Sequence, residues 1–221
     1  VDLENGRTVW LDRAAEYVPR IDWADPGQLA VQLLNRGQDE LELVLADATT
    51  GRSRSLFFER DEHWLDVTDD LTFLEGGEHF LWTSHRSGLR HVYLYTMKGE
   101  PVRQLTEGDY EVGAIQGVDE EAGWVYYSAN ADNLLGSDLY RVKLDGSGRE
   151  RLTREKGTHG IDMSPSATSW IDAFSTLDVG QAGWRAVHHP ASGRVTELAR
   201  GLDLAEVDRA RHVPRLADED R

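Results

Sequence analysis

A glycine in a turn-like setting recurs along this chain at nearly constant spacing, and no other feature restricts the fold as strongly. The positions are Gly6, Gly51, Gly99, Gly146 and Gly193. Successive members lie 45, 48, 47 and 47 residues apart, and each follows a polar or turn-favouring residue. Glycine tolerates the positive φ that a tight hairpin turn requires. The spacing therefore predicts one hairpin in each repeat of about 47 residues.

Strand-like segments flank each of the later four glycines. Those before the glycine are residues 41–45, 91–95, 138–142 and 184–188, and those after it are 55–57, 104–106, 151–153 and 196–198. Each repeat opens with a short segment, at 21–23, 71–73, 117–119 and 161–163, and continues with a more apolar one, at 29–33, 80–83, 124–127 and 170–174. An apolar spacing of two favours strands over helices. Four short strands in each repeat are typical of a β-propeller blade.

These strands predict an all-β fold, a partial β-propeller with about four blades of four-stranded antiparallel sheet. We expect the blades at residues 15–60, 66–108, 112–156 and 158–200. Residues 1–14 should contain the outer strand of a preceding blade, at 7–11, and residues 201–221 a tail with a short helix at 204–211. A β-sandwich or barrel is the alternative, although neither requires a repeat of constant length. Because Val1 falls inside a repeat, we expect the chain to be part of a longer protein.

The charge of the chain restricts its partners. Its 40 acidic and 24 basic residues give a formal net charge of −16, and the basic residues do not cluster. Nucleic acids and anionic membrane surfaces are bound by clustered positive charge, so neither is an expected partner. The sequence has no cysteine, which excludes disulfides and thiolate chemistry. No apolar run approaches the roughly 20 residues of a membrane helix, so no membrane segment is expected.

The sequence lacks the nucleophile motif of a serine hydrolase. That motif, Gly-x-Ser-x-Gly, forms a strained turn between a strand and a helix. The nearest segment, residues 146–148, is predicted to be a hairpin turn, and the adjacent Glu120 and Glu121 are predicted to lie in a turn between strands. No glycine-rich phosphate loop is present. We therefore predict no catalytic residue and no cofactor in this chain.

Histidines and acidic pairs do not predict a metal site either. His188 and His189 are neighbours in a predicted strand, so their side chains point to opposite faces. His85 and His91 flank a turn, but no further ligand completes a tetrahedral set with them in the sequence. The acidic pairs at 61–62 and 69–70 lack the alternating spacing of a calcium loop and are predicted to be loop charges.

Four stretches together resemble a known family. They read HRSGLRHVYLY at 85–95, QLTEGDYEV at 104–112, LGSDLYRVKLDGSGRERLT at 135–153 and IDMSPSATSWIDAFSTLD at 161–178. In this order and spacing they resemble the propeller of the dipeptidyl peptidase IV family of prolyl-type serine peptidases, and the likeness spans nearly the whole chain. One departure is Tyr110, where members of that family more often carry tryptophan. An aromatic ring is retained there, so we expect it to pack in the same way.

The resemblance implies a function for the longer protein. Members of that family carry an eight-bladed propeller followed by an α/β-hydrolase domain, and this chain resembles the later half of the propeller. The expectation is a non-catalytic portion that helps to enclose and gate the active-site cavity of an exopeptidase releasing N-terminal dipeptides. Its partners would be the peptide substrate and the hydrolase domain of the same chain. Residues 63–68 are candidates for the cavity lining, and the alternative is that they are ordinary surface residues.

Other functions and assemblies stay open at this point. The chain could belong to a stand-alone propeller, either a scaffold for protein–protein interaction or a periplasmic binding module, as the Ser164-Pro165 turn allows. The sequence does not fix the location, although a bacterial parent protein is expected to be periplasmic or secreted. Terminal blades that lack a neighbour expose apolar surface, so we expect two copies to pair through these faces. An open arc with polar edges is the alternative.

Overall fold

The structure, a computed structural model, describes residues 6–176, 184–189 and 194–199. Within these ranges the chain forms sixteen strands in four antiparallel sheets, each with its strands in chain order. Sheet 1 contains β1 (Tyr17–Asp25), β2 (Gln28–Leu34), β3 (Glu40–Asp47) and β4 (Ser53–Arg60). Sheet 2 contains β5 (Thr72–Phe73), β6 (His79–Ser84), β7 (His91–Thr96) and β8 (Pro101–Gln104).

The second half of the chain repeats this arrangement. Sheet 3 contains β9 (Val112–Asp119), β10 (Trp124–Ala129), β11 (Asp138–Lys143) and β12 (Glu150–Arg151). Sheet 4 contains β13 (Thr158–Met163), β14 (Trp170–Ser175), β15 (Trp184–His189) and β16 (Arg194–Ala199). Sheets 1 and 2, with Leu144–Gly146, form a first compact unit, and sheets 3 and 4 lie in a second. The predicted all-β fold of four-stranded antiparallel sheets is confirmed.

Aromatic side chains join the two sheets of the first unit. Phe57 of β4 stacks on Tyr95 of β7 at a centroid distance of 4.8 Å and meets the edge of Trp82 of β6 at 5.4 Å. Phe80, also on β6, stacks on Tyr95 at 5.3 Å. Aromatic pairs of this kind each contribute about 0.5–1.5 kcal/mol beyond the burial of their area. The aliphatic core around them consists of Ala30, Leu34, Leu41, Leu43, Leu45 and Leu56 of sheet 1.

A smaller cluster joins the two sheets of the second unit. Tyr126 of β10 and Leu139 of β11 pack with Trp170 of β14, and the rings of Tyr126 and Trp170 lie 6.5 Å apart. Tyr110, which stands where the resembled family more often has tryptophan, is buried and lies under the Arg149 guanidinium at 4.5 Å. The aromatic ring at position 110 therefore packs as the sequence predicts.

Three of the five repeated glycines lie in the turns that the sequence predicts for them. Gly51, Gly99 and Gly146 lie in the β3–β4, β7–β8 and β11–β12 turns, with φ of 74°, 84° and 81°. Gly6 also has a positive φ, and Gly193 lies outside the described residues. This conformation strains a residue with a Cβ, so the backbone favours glycine at these positions.

A threonine continues the ladder beyond the last strand of two sheets. Thr106 follows β8, and its Oγ1 accepts a hydrogen bond of 3.0 Å from the main-chain N–H of Val92. Thr153 follows β12, and its Oγ1 accepts one of 3.2 Å from the N–H of Leu139. A side-chain oxygen thus satisfies an amide that the short last strand does not reach. These two bonds explain why a Leu-Thr pair follows the last strand in both sheets.

The strand expected at residues 7–11 is not formed. The segment instead lies beside the β3–β4 turn, where Asp12 N donates 2.9 Å to Gly51 O and Asp12 Oδ1 accepts 3.0 Å from Ser53 N. A strand requires a ladder of main-chain bonds to a neighbour, and no described strand supplies one.

The helix expected at 204–211, and the whole tail at 201–221, lie outside the described residues. No described helix is long and apolar enough to cross a membrane.

Candidate functional site

The first unit contains a concave site with a volume of about 300 Å³. Its walls come from the end of β4, from residues 61–68 of the loop that leads to β5, and from the β6–β7 hairpin. Loops between strands can present polar side chains while the sheets beneath hold them in place. The cavity therefore brings together residues that are far apart in sequence.

A carboxylate with little exposed surface forms the floor of this cavity. Glu59, at the end of β4, has a side chain that is only 10% exposed. Its Oε2 accepts a hydrogen bond of 2.6 Å from the indole Nε1 of Trp82, and its Oε1 accepts one from the hydroxyl of Ser84. A buried carboxylate is costly unless such donors surround it. The bonds therefore fix Glu59 of sheet 1 against β6 of sheet 2.

A cation lies above this carboxylate on an aromatic base. The Arg86 guanidinium lies 4.6 Å from the ring centroid of Tyr93 and 5.4 Å from that of Tyr95. Its Nε donates 3.0 Å to Ser84 Oγ, and its Nη2 lies 3.8 Å from Glu59. Burial raises the pKa of Tyr95, whereas the charge of Arg86 acts in the opposite direction. Stacking and ion pairing together hold a partly exposed positive charge at the cavity.

The rim of the cavity is built by a tight turn after β4. Asp61 Oδ1 accepts the main-chain N–H groups of His63 and Trp64 at 2.8 and 3.2 Å, and these bonds lower the pKa of Asp61. Trp64 donates from Nε1 to Asp66 Oδ1 at 3.2 Å and is 55% exposed. Because Asp66 accepts the single N–H of this indole, the exposed ring offers apolar area to a ligand.

The other end of the loop is tied to both sheets. Thr68 Oγ1 lies 2.8 Å from Thr83 Oγ1 of β6 and 3.1 Å from Asp70 Oδ2. The main-chain carbonyl of Thr68 accepts 3.1 Å from Nε2 of Gln32, a buried residue of β2. Asp69 pairs with Arg20 of β1. The acidic pair at 69–70 thus consists of loop charges with internal partners, as the sequence predicts.

The structure places the other residues considered from sequence as follows. Trp64, Leu65, Asp66 and Thr68, from the candidate segment 63–68, contribute to the cavity wall, and His85 does so from the β6–β7 hairpin. Glu120 and Glu121 lie in the β9–β10 turn, and residues 146–148 in the β11–β12 turn, as predicted. The main chain of His188 and His189 lies in β15.

Within the part of the chain that the structure describes, His91 and His85 belong to no group of metal-binding side chains. His91 is buried, with its Nδ1 3.1 Å from Thr106 Oγ1 and its Nε2 3.1 Å from the main-chain oxygen of Gly108. Among the described residues, no group of three or more histidine or acidic side chains could hold a metal ion.

Sequence reasoning missed Glu59, Trp82 and Arg86 as members of one site. Arg86 lies in the stretch 85–95 that carries the family resemblance, but nothing in that stretch points to a carboxylate 27 residues earlier. A single signal was available: Glu59 is an acidic residue two positions after the predicted strand segment 55–57, and it follows Phe57 and Phe58. Charged residues in such positions are costly unless they are paired.

Comparison with known proteins identifies the family. A family model described as "Dipeptidyl peptidase IV (DPP IV) N-terminal region" matches residues 1–180. A probable dipeptidyl-aminopeptidase B of Coccidioides posadasii is 32% identical over 215 residues, which cover 89% of this chain and 23% of that protein. A probable dipeptidyl peptidase 4 of Emericella nidulans is 32% identical over 126 residues, covering 52% of this chain and 16% of the relative.

Solved structures show the same fold. The crystal structure of Porphyromonas gingivalis dipeptidyl peptidase 4 superposes with a TM-score of 0.82 and 25% identity, covering 92% of this chain and 29% of that one. The chain therefore spans about a quarter of the length of the relatives it matches. Its four sheets have the fold of the propeller region of that enzyme. The chain belongs to the dipeptidyl peptidase IV N-terminal region family.

Proposed function

We propose that this chain is the non-catalytic propeller portion of a serine exopeptidase that releases N-terminal dipeptides, and that it helps to enclose and gate the active-site cavity. Family membership and the names of the relatives, all dipeptidyl peptidases or aminopeptidases, support the proposal. The sequence has no Gly-x-Ser-x-Gly motif, so the nucleophile must come from another part of the longer protein.

The cavity in the first unit is the observation that carries the gating role. Its rim presents the exposed indole of Trp64, and its interior presents the cation of Arg86 on a fixed aromatic base. The guanidinium can donate hydrogen bonds to the carbonyl groups of an extended peptide, and the apolar surface of the indole can pack against its side chains. A wall of this kind affects the entry of a peptide into the active-site cavity and its orientation there. The catalytic domain carries out the bond-breaking step.

The experiment compares two substrates in the longer protein that contains this segment. We expect Trp64→Ala to lower kcat/KM for a peptide of about ten residues more than for a chromogenic Xaa-Pro substrate, because only the peptide extends beyond the reacting bond. Trp10→Ala is the matched control, since Trp10 lies in the same unit, is 83% exposed and does not line the cavity. The isolated 221-residue chain should hydrolyse neither substrate.

Two outcomes would contradict this function. Hydrolysis by the isolated chain would show that the catalytic groups are present in it. Equal effects of Trp64→Ala and Trp10→Ala on both substrates would show that the cavity has no part in peptide access.

We also propose that two copies of the isolated chain pair through exposed apolar side chains. Ile21 and Trp23 lie two residues apart on β1, and both are exposed on the same face of the strand. Exposed apolar side chains that are grouped in this way favour association. Light scattering at high concentration should show a dimer that Trp23→Ser reduces to a monomer. A monomeric wild-type chain would contradict the pairing.

A further inference from the structure

Two buried aspartates from different sheets of the second unit lie on either side of one buried histidine. His159 is on β13 and Asp172 is on β14, both in sheet 4, whereas Asp138 begins β11 in sheet 3. The side chains of His159 and Asp138 have no exposed surface, and that of Asp172 is 3% exposed. Buried charged groups are costly unless they pair with opposite charges and form hydrogen bonds, so these three side chains must interact with one another or with other buried partners.

Both ring nitrogens of His159 face oxygen atoms that can only accept hydrogen bonds. Nδ1 lies 2.9 Å from each carboxylate oxygen of Asp172. Nε2 lies 3.1 Å from the main-chain oxygen of Glu155 and 3.7 Å from Oδ1 of Asp138. A neutral imidazole has one N–H, so it could satisfy one side of this arrangement and would leave a lone pair against an oxygen on the other. The geometry fits the imidazolium ion, which donates from both nitrogens.

The carboxylate on the Nε2 side of the ring is itself held by two donors. Asp138 Oδ1 accepts 2.8 Å from Arg151 Nη2 of β12 and 2.8 Å from Thr153 Oγ1. With His159 protonated, the imidazolium lies between the carboxylates of Asp138 and Asp172. The ring of Phe174 stacks over the imidazole at 5.2 Å and excludes water from that face.

His91, the other buried histidine with described ring contacts, is held differently. Its Nε2 also faces a carbonyl oxygen, but its Nδ1 lies 3.1 Å from the hydroxyl of Thr106. A hydroxyl group can donate as well as accept, so a neutral ring can satisfy both contacts. Of these two histidines, only His159 therefore has contacts that call for an N–H on both ring nitrogens.

We propose that His159 is an imidazolium ion that fastens sheet 3 to sheet 4 through Asp138 and Asp172, and that loss of its proton loosens this joint. The two main chains meet at the same place, since His159 N donates 2.9 Å to Ser137 O and Ser137 forms a parallel bridge with Thr158. Deprotonation would remove one N–H donor from a ring whose two nitrogens both face acceptors, and would remove the positive charge between two buried carboxylates. The device goes beyond the proposed peptidase role and does not depend on it.

The direction of the pH effect follows from the contacts. Burial alone lowers the pKa of His159, but the hydrogen bond and the charge of Asp172, the Glu155 carbonyl and the charge of Asp138 outweigh it, so the pKa is raised. A raised folded-state pKa adds stability that is fully present below the unfolded-state value of about 6.5. That stability is lost as the pH rises through the folded-state pKa, so the joint weakens toward alkaline pH.

Nitrogen NMR of the wild-type 221-residue chain tests the protonation state directly. In ¹⁵N-labelled protein, we expect both His159 nitrogens to show imidazolium shifts, with a titration midpoint above that of the histidines in the same chain unfolded in urea. A midpoint at or below the unfolded one would overturn the proposal. So would a proton-free nitrogen on His159 at pH 6.

Unfolding experiments test the consequence for stability. The urea midpoint of the wild-type chain should fall as the pH rises above about 6.5, and His159→Gln should lose that dependence. The control is His63→Gln, because the His63 side chain is almost fully exposed and lies in the other unit; this variant should keep the wild-type profile. An unchanged pH profile in His159→Gln would overturn the proposal. The nitrogen spectrum needs no variant, so it decides the question if His159→Gln does not fold.

Discussion

Gly99, in the β7–β8 turn of sheet 2, lies directly against the main-chain carbonyl of Leu56 in β4 of sheet 1, so closely that a Cβ at position 99 would overlap that oxygen. Gly51, one repeat earlier, has the same relation to the carbonyl of Trp10. The repeated glycine thus marks the place where the outer turn of one repeat meets the preceding one. Arg54 reinforces this contact with a bond of 2.6 Å to Met97 O.

Alanine at Gly99 should therefore destabilise the chain by more than the strain of a positive φ. Gly77 is the matched control, because it lies in a turn of the same sheet with φ of 67° and nothing near its missing Cβ. We expect Gly77→Ala to cost about 1–2 kcal/mol for the left-handed conformation alone. Gly99→Ala should cost more, since the Leu56 backbone must also move. Urea unfolding followed by tryptophan fluorescence measures both, and equal losses would contradict the contact.

The features of the fold that sequence predicts well are local. A turn that needs a positive φ accepts glycine regardless of distant contacts, so Gly51, Gly99 and Gly146 could be assigned from spacing alone. The strand at 7–11 could not, because strand formation depends on a partner that the chain's own pattern does not specify. Segments with clear apolar alternation form the predicted strands. The short entry segment predicted at 71–73 has little alternation, and its strand β5 covers only Thr72–Phe73.

The site was predictable only in part, and the reason is again the distance between its members in sequence. Residues 63–68 were found as candidates because loops between strands line the ends of sheets. Glu59 meets Trp82 only because sheets 1 and 2 pack together. His159 and Asp138 meet in the same way in the second unit. Periodicity shows which face of a strand is buried, but not which side chain of another sheet lies opposite.

The bond between Glu59 and Trp82 gives a prediction for a double-mutant cycle. Glu59→Ala leaves the buried Nε1–H of Trp82 without its carboxylate acceptor, and an unsatisfied buried donor costs about 1–3 kcal/mol. In a Trp82→Phe background this donor is absent, so Glu59→Ala should cost less there. Free energies of unfolding of the two single variants and the double variant give the coupling. Additive effects would show that the 2.6 Å contact contributes nothing to stability.

The aromatic contacts between sheets 1 and 2 should stabilise the first unit strongly. Phe80 is fully buried and packs on Phe57, Tyr95 and Phe73, so Phe80→Ala is expected to cost about 3–5 kcal/mol. Phe58 follows Phe57 in β4 but is exposed, and Phe58→Ala should cost about 1 kcal/mol or less. Thermal and urea unfolding of the two variants compare them directly. Similar losses would place the core on the other face of β4.

The β3–β4 turn should give the chain a stability component that disappears only in strong acid. Asp47 Oδ1 accepts hydrogen bonds from the Thr49 hydroxyl and from the amides of Thr50 and Thr49, at 2.6, 2.8 and 2.9 Å. These bonds lower the pKa of Asp47 to about 2. A lowered pKa adds stability that is present above the unfolded-state value of about 3.9 and is lost as the pH falls through the folded-state value.

Asp47→Asn keeps an acceptor oxygen in this turn but removes the titrating charge. We expect its unfolding midpoint to change less than that of the wild type between about pH 4 and pH 2, because this variant has no proton to gain at position 47. Thr49→Val removes the hydroxyl donor, so carboxyl ¹³C NMR should show the Asp47 midpoint moving upward toward the ordinary value of 3.8. A wild-type midpoint already at that value would mean that the turn does not hold Asp47 as an anion, and the acid dependence of the chain would then have to come from other carboxylates.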